Sequence, residues 1–389
     1  MPADPIMPQM YTKDDFPIGP FVAFYEVTRA CDLVCKHCRA CAQPKSHVHE
    51  LNTAQSKMLL DQFASFPKKP TLVFTGGDPM KRADIFDLVR YATDAGLTTA
   101  MTPSATPLVT AEAIRGLRDA GISRLAVSLD GVDAETHDNF RGVPGSFART
   151  FEILRDAREA GVTVQINTTV TKRNVHQINA IAELLASQGI VLWSVFFLVP
   201  IGRGLAEERI LPHQYEEVFE TLWLQSQKQS YAIKTTEAHH YRRYVMQKMG
   251  VPAPDQNIPT PTATAEFISR PLQDRIQRAP IGVNDGKGVM FVSHTGTVYP
   301  SGFMAIACGR FPDESIVDIY QTSQTFLDMR DPDKLGGKCG ICEYRSICGG
   351  SRARAFGLTR DPLAAEPDCV YLPKVIREAN EAKVLATAG

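Results

Sequence analysis

FVAFYEVTRACDLVCKHCRA, residues 21–40, joins a strand-like run to three closely spaced cysteines. Residues 21–27 are rich in the aromatic and aliphatic side chains that favour β-strands. Cys31, Cys35 and Cys38 follow directly, so they are expected in a loop at the C-terminal end of a first strand. In parallel βα architectures the chemistry lies at that end of the strands. The stretch therefore predicts both a fold class and the position of a site.

Strand-like and amphipathic stretches alternate through the first half of the chain. Strands are predicted at 21–27, 71–75, 98–102, 124–129, 163–170 and 191–198, and helices at 53–65, 83–95, 110–120, 147–160, 176–188 and 212–229. Ser146 is the expected N-cap of the fourth helix. Successive strands begin 26 to 50 residues apart, which indicates repeated βα units and a parallel sheet. Six such units predict an α/β fold with a partial (β/α)6, TIM-like barrel. A hairpin is predicted at 289–299.

Composition excludes several classes of protein. Of the 389 residues, 44% are apolar, and 42 basic residues face 43 acidic ones. The net charge of −1 offers no long-range field for nucleic acid. There is no 18-residue apolar run for a membrane span and no apolar signal core in the first twenty residues. We therefore expect a cytoplasmic protein whose nine cysteines serve a metal or redox role.

The cysteines form two clusters separated by a long stretch without any. Cys31, Cys35 and Cys38 fit three irons of a cubane cluster and leave one iron open for a small molecule. A zinc site is the alternative, with Cys41 or His37 as the fourth ligand. The second group of cysteines could supply all four ligands of a cubane cluster or, alternatively, the four ligands of a zinc ribbon. Its members are Cys339, Cys342, Cys348 and Cys369.

CDLVCKHC, residues 31–38, resembles the signature loop of the radical S-adenosylmethionine (SAM, or AdoMet) superfamily. The resemblance implies a [4Fe–4S] cluster whose open iron is chelated by SAM. One electron from the cluster then breaks the sulfonium bond, and the resulting 5′-deoxyadenosyl radical abstracts a substrate hydrogen. It also implies an electron donor of the flavodoxin or ferredoxin type.

Further segments match the same family in order along the chain. The family's GGE-type motif is similar to Thr75-Gly76-Gly77-Asp78-Pro79. Asp78 stands where glutamate is commoner, so its side chain is one methylene shorter. Ser128, with Arg141 after it, corresponds to the family's contacts to the SAM carboxylate or ribose. The resemblance implies that SAM is bound by His37, Gly76, Gly77, Asp78, Thr102, Ser104, Ser128, Arg141, Asn167 and Val199.

The C-terminal cysteines resemble the SPASM/Twitch extension of radical SAM enzymes, which carries auxiliary clusters. Ser301 and Arg352 stand where the full pattern has cysteine, so the resemblance implies one auxiliary [4Fe–4S] cluster on Cys339, Cys342, Cys348 and Cys369. Such a cluster could relay electrons, staple the fold or ligate substrate, and relay or staple is favoured. Cys41 and Cys308 are expected to be buried thiols. The predicted domains are an extension at 1–20, the barrel at 21–229, a linker or substrate-facing segment at 230–285 and a small iron–sulfur domain at 286–389.

Residues 26–40, 299–303 and 339–369 further resemble the branch that modifies heme precursors. Within TTEAHHYRRY, residues 235–244, the substrate candidates are Glu237, His239, Tyr241 and Arg242; the alternative is a solvated helix face. The resemblance implies a tetrapyrrole substrate. Two other functions stay open. One is a radical SAM/SPASM maturase of ribosomally made peptides. The other is a non-catalytic iron–sulfur electron carrier, which would not need the SAM-contacting motifs.

Overall fold

A computed structural model describes residues 11–254, 276 and 279–387. Residues 1–10 and 255–275, which belong to the predicted extension and linker, lie outside the described residues. One mixed sheet organises the described part of the chain. Its strands are β1 (Val22–Thr28), β2 (Thr71–Gly76), β3 (Thr98–Met101), β4 (Arg124–Ser128), β5 (Thr163–Val170), β6 (Leu192–Phe197), β7 (Ala232–Thr236), β8 (Val289–Val292), β9 (Thr297–Tyr299) and β10 (Gly309–Arg310).

The sheet order is β10-β9-β8-β1-β2-β3-β4-β5-β6-β7. Strands β1 to β7 are parallel, as the alternation predicts, and all six predicted strands are confirmed. The predicted hairpin is also confirmed as β8–β9. Three features of the sheet were not predicted. Strand β7 extends the sheet beyond β6, β8 pairs in parallel with β1, and the short β10 pairs with β9 at the other edge.

Helices cover the sheet, and a helix lies at each of the six predicted positions. The larger ones are α1 (Thr53–Ala64), α2 (Ile85–Asp94), α3 (Ala111–Asp119), α4 (Ala134–Arg141), α5 (Ser146–Ala160), α6 (Ile178–Leu185), α7 (Pro212–Lys228) and α8 (Tyr241–Lys248), followed by α9 (Ile316–Thr322), α10 (Gln324–Arg330), α11 (Gly337–Gly340), α12 (Arg352–Thr359) and α13 (Lys374–Thr387). The predicted N-cap at Ser146 is wrong. Gly145 takes that position with a φ of 86°, and Ser146 is the first helical residue, placed 3.2 Å from the His137 ring nitrogen.

Apolar side chains of most strands, of α1 to α3 and of α5 to α7 form one continuous core. Leu59 and Phe63 of α1, Leu88 of α2 and Phe74 of β2 are completely buried in it. Each contributes on the order of 1.5–3 kcal/mol relative to an exposed side chain. No helix in the described ranges has the length and apolarity needed to cross a bilayer.

A buried ion network fixes the C-terminal segment to α7. The Arg354 guanidinium donates to the Glu366 carboxylate at 2.9 Å, and both side chains are fully buried. It also lies 3.2 Å from the Asp368 carboxylate. That carboxylate accepts from the Tyr215 hydroxyl at 2.8 Å and pairs with Arg209. The network therefore holds the residue before Cys369 against the barrel.

Replacing Arg354 with methionine would leave two carboxylates buried without their central cation. We expect the free energy of unfolding to fall by about 3–5 kcal/mol, as when one partner of a buried ion pair is removed. Arg155→Met is the matched control, because Arg155 has 56% of its side chain exposed beside Asp156. Its loss should stay below about 1 kcal/mol. Urea unfolding followed by circular dichroism measures both variants, and equal losses would contradict the assignment.

Candidate functional site

A cavity of about 550 Å³ lies on the inner face of the sheet. Apolar side chains form much of its wall, among them Phe24, Phe196 and Phe291. The three N-terminal cysteines and all four substrate candidates line it. The predicted SAM contacts line it too, with the exception of Asp78. Predicted site residues that are separated by up to 211 positions in sequence, from Cys31 to Arg242, thus meet around one space.

The first cysteine loop follows β1 and presents three thiols to the cavity. Cys31 and Cys35 are buried and Cys38 is half-buried. Main-chain N–H groups donate to two of the sulfurs, from Leu33 to Cys31 and from Ala42 to Cys38, each at 3.4 Å. Burial raises the pKa of the Cys31 and Cys35 thiols. A bound metal would therefore have to displace their protons.

Two glycines at the end of β2 let this loop approach the sheet. The Gly77 N–H donates to the Thr28 carbonyl at 2.9 Å, and the Asp78 N–H donates to the Ala30 carbonyl at 2.7 Å. A Cβ added to Gly77 would lie 2.3 Å from the Ala30 carbonyl oxygen. The glycines are therefore required by contact between two backbone segments, in addition to any contact with a ligand.

Asp78 lies behind the cavity wall. It is completely buried, and its carboxylate accepts from the Thr106 hydroxyl at 2.7 Å and the Met80 N–H at 3.1 Å. The Ser104 N–H donates to it at 3.3 Å, while the Ser104 hydroxyl lies 3.4 Å from the Cys31 sulfur. In this arrangement Asp78 supports Ser104, and Ser104 faces the first cysteine.

Arg141, the last residue of α4, carries a positive charge to the cysteine loop. Its guanidinium donates to the Cys35 sulfur at 3.8 Å and forms an ion pair with Asp130. Asp130 is fully buried and accepts from the Thr169 N–H at 2.7 Å. Asp130 lies two residues after Ser128, but its role in fixing Arg141 became visible only in the fold.

The remaining predicted SAM contacts lie around the same end of the cavity. His37 packs its ring 4.4 Å from that of Phe140, and its Nδ1 has no hydrogen-bond partner. Burial holds the pKa of His37 well below its ordinary value, so the imidazole is neutral. Ser128 and Asn167 are paired in register on β4 and β5. Thr102 and Val199 follow β3 and β6.

The four C-terminal cysteines are half-buried and lie close enough to influence one another. Burial, with the neighbouring thiols Cys339 and Cys369 adding to it, raises the pKa of Cys342 to about 11. The Glu366 N–H donates to the Cys339 sulfur at 3.2 Å, and the Gly350 N–H donates to the Cys348 sulfur at 3.4 Å. These donors would stabilise thiolates bound to a metal cluster.

Ser301 and Arg352 stand where the full SPASM pattern has cysteine, and both positions take part in hydrogen bonds instead. Arg352 is buried, donates to the carbonyls of Pro362 and Ala364, and reaches the Cys339 sulfur at 3.9 Å. Neither Cys41 nor Cys308 lines the cavity. The Cys308 thiol lies 3.4 Å from the Ile306 carbonyl oxygen.

Glu237, directly after β7, forms an acid pair with Asp285 on the cavity wall. Both side chains are buried, and they contact each other. Burial raises the pKa of both carboxyls, and two such groups in contact share one proton. Ser351 donates to Glu237, and the Ala353 N–H donates to Asp285 at 2.9 Å. Glu237 has a φ of 59°, a left-handed conformation that costs a non-glycine residue free energy.

The other three substrate candidates differ in the hydrogen bonds and packing contacts that they make. Arg242 donates to the Ile347 carbonyl at 2.8 Å and the Val283 carbonyl at 2.7 Å. His239 has an Nδ1 without a partner, and burial holds its pKa well below the ordinary value. Tyr241 packs against Phe219 with ring centroids 5.2 Å apart. The solvated helix face proposed as an alternative does not describe these side chains, since Tyr241 is buried and His239 and Arg242 are half-buried.

Lys234 and Arg124 also line the cavity and were missed in the sequence. Lys234 is the third residue of β7, and Arg124 opens β4. A lysine that directly follows an apolar run in 231–236 (YAIKTT) was the available signal for an inward-facing cation. Without a predicted strand there, its direction could not be assigned.

The donor sets fit iron–sulfur clusters in kind and number. Three thiols face the cavity in the first set, and four lie behind its wall in the second. In the part of the chain that the structure describes, no three His, Cys, Asp or Glu side chains are arranged to hold a single metal ion.

Comparison with known proteins agrees with these features. The model of the radical SAM superfamily matches residues 25–185. The AdoMet-dependent heme synthase of Methanosarcina barkeri is 39% identical, covering 91% of this chain and 97% of the relative. The Fe-coproporphyrin III synthase of the same organism is 28% identical, covering 94% and 90%.

Among solved structures, Streptococcus suis SuiB bound to the precursor peptide SuiA superposes with a TM-score of 0.69. It covers 91% of this chain and 76% of SuiB at 16% identity, which supports the fold alone. At the identity and coverage of the heme synthase, the chain belongs to the radical SAM superfamily, whose members use a [4Fe–4S] cluster and AdoMet, and within it to the family of the AdoMet-dependent heme synthases.

Proposed function

We propose that this enzyme is itself an AdoMet-dependent heme synthase that converts propionate side chains of an iron tetrapyrrole into vinyl groups. The observation that carries the proposal is the 39% identity to the Methanosarcina barkeri heme synthase along almost the full length of both chains. The cavity supports it, because apolar walls suit a macrocycle and the cysteine loop lies at its edge.

Cys31, Cys35 and Cys38 would hold the catalytic cluster. When bound, the cluster and SAM supply the 5′-deoxyadenosyl radical that abstracts a hydrogen atom. The protein's own residues prepare this end of the cavity. Arg141 donates to the Cys35 sulfur and would compensate its negative charge, and the Ser104 hydroxyl lies 3.4 Å from the Cys31 sulfur. Neutral His37 and Phe140 form an apolar surface beside them, suited to a stacked adenine.

Cys339, Cys342, Cys348 and Cys369 would hold the auxiliary cluster. None of them lines the cavity. Asn284, which does, donates to the Cys348 carbonyl at 3.1 Å, and Arg242 donates to the neighbouring Ile347 carbonyl. This position supports relay over direct ligation of substrate. Propionate-to-vinyl conversion removes one hydrogen atom, releases carbon dioxide and leaves one electron to be accepted, so a relay has a defined task.

The substrate would lie between the cysteine loop and the segment after β7. His239 offers an imidazole that is neutral and lacks a partner on Nδ1, a state suited to ligating a tetrapyrrole iron. Tyr241, Arg242 and the Glu237–Asp285 acid pair complete that wall. A flavodoxin- or ferredoxin-type protein would supply the electron consumed in each cleavage of SAM.

Replacing Cys31, Cys35 and Cys38 together with alanine should remove one cluster and abolish SAM cleavage. The anaerobically reconstituted wild type should hold about eight irons, and the variant about four. Iron analysis and chromatography of 5′-deoxyadenosine measure the two quantities. Cys41→Ala and Cys308→Ala are matched controls that should keep about eight irons. Cleavage that survives the triple replacement would refute the catalytic site.

Cys348→Ala should perturb the auxiliary cluster alone. We expect altered iron content and an altered paramagnetic spectrum of the second cluster, while 5′-deoxyadenosine still forms. Electron paramagnetic resonance of the reduced protein distinguishes the two clusters. Zinc in the wild-type protein, released by this substitution, would show that the second site is a zinc ribbon.

Ferric coproporphyrin III should bind and shift its Soret band, and reduced enzyme with SAM should convert its propionates to vinyls. His239→Ala should alter the Soret band if His239 ligates the iron, whereas His213→Ala, on α7 and absent from the cavity lining, should not. Optical titration and mass spectrometry measure binding and product. Failure to bind any tetrapyrrole, together with modification of a peptide, would favour the peptide-maturase function.

A further inference from the structure

Among the described residues, five cationic side chains line the cavity, and four of them are already engaged. Arg39 pairs with Glu26 at 3.4 Å, and Arg141 pairs with Asp130. Arg242 donates to two main-chain carbonyls. Arg124 donates to the Gln165 side chain at 3.3 Å. Lys234 is different, since it has no hydrogen bond or ion pair with any residue within the described ranges.

The Lys234 side chain is accessible because it faces the cavity, although the barrel encloses it. This enclosure, together with the charge of Arg124, lowers the pKa of Lys234 to about 8. Among the described residues, this cation has no carboxylate as a counter-charge, and the one charge acting on it is the like charge of Arg124. An anion that entered the cavity would supply that counter-charge, so the surroundings favour a ligand with a carboxylate.

Strand register fixes where this cation lies relative to the reacting end. Ser128, Asn167, Ser194 and Lys234 are paired in one row across β4, β5, β6 and β7. Neighbours in such a row point to the same face of the sheet. Three strand spacings separate Lys234 from Ser128, which is roughly 14 Å along the sheet at ~4.8 Å each. Lys234 is thus remote from the predicted SAM contacts on β4.

We propose that Lys234 is the carboxylate-recognition residue of this cavity and that it holds a propionate other than the one that reacts. The inference rests on the proposed function. Heme retains some of the propionates that its precursor carries, so the site must bind carboxylates that it leaves intact. A fixed cation about 14 Å from Ser128 along the sheet would anchor one of them and orient the macrocycle.

Lys234→Met tests the proposal, because methionine keeps an unbranched side chain and removes the charge. We expect the dissociation constant for ferric coproporphyrin III to rise roughly 10- to 100-fold, the range for losing a charge-assisted hydrogen bond. Binding of the tetramethyl ester of the same iron porphyrin should not change. Lys234→Arg should restore most of the affinity. Soret titration of the full-length, cluster-loaded protein measures each constant.

Lys228→Met, at the end of α7 and outside the cavity lining, is the matched control and should bind like the wild type. Unchanged affinity of Lys234→Met for the acid would overturn the proposal while leaving the proposed function intact. Equal weakening for acid and ester would also overturn it, because the residue would then act only on cavity shape. A wild-type protein that binds neither porphyrin would overturn the proposed function and this inference with it.

Discussion

The contact between the end of β2 and the loop after β1 determines where the chemistry of this protein can take place. Two main-chain hydrogen bonds, from Gly77 to Thr28 and from Asp78 to Ala30, bring the backbones together. No side chain fits between them, since a Cβ on Gly77 would meet the Ala30 carbonyl at 2.3 Å. Cys31 is the next residue of that loop. Its thiol faces the cavity because these backbones touch.

Buried charge is compensated in different ways around the cavity. At the cysteine end, Asp130 neutralises Arg141, which in turn faces the Cys35 sulfur. Behind the opposite wall, Arg354 is balanced by Glu366 and Asp368. On the wall itself, Glu237 and Asp285 reduce their charge by sharing a proton. These buried charges are thus organised as pairs, and Lys234, which has no such partner in the described part of the chain, stands out as available to a ligand.

Sequence patterns predicted the parts of the fold that bury apolar side chains. Strands β1 to β6 are covered on their outer faces by helices, so their apolar runs were visible. Strand β7, with the sequence AIKTT, was missed because its inward residues line a polar part of the cavity. Pairing of β8 with β1 joins residues more than 260 positions apart, which no local pattern encodes. Ser146 has the chemistry of an N-cap, but a left-handed Gly145 ends the preceding loop and displaces it into the helix.

Local patterns likewise predicted some residues of the candidate site and not others. Cysteine spacing and the glycine pair identified the residues at the ends of β1 and β2 because each motif is contiguous. The acid pair could not be predicted, because Glu237 and Asp285 are 48 positions apart in the sequence. Only Glu237 lies in the segment that contains the substrate candidates, residues 235–244. Asp78 shows a further limit, because a motif residue can act through its neighbours while its own carboxylate is hidden from the cavity.

The left-handed backbone at Glu237 has a consequence for engineering. Glycine or asparagine would relieve the conformational cost at that residue, so a search for heat-tolerant variants would select against the glutamate. Either replacement would also leave Asp285 without the partner that shares its proton. Relief of backbone strain and retention of the acid pair would therefore be in direct conflict at this one position, and a thermostable form of the enzyme should be sought by changing other parts of the chain.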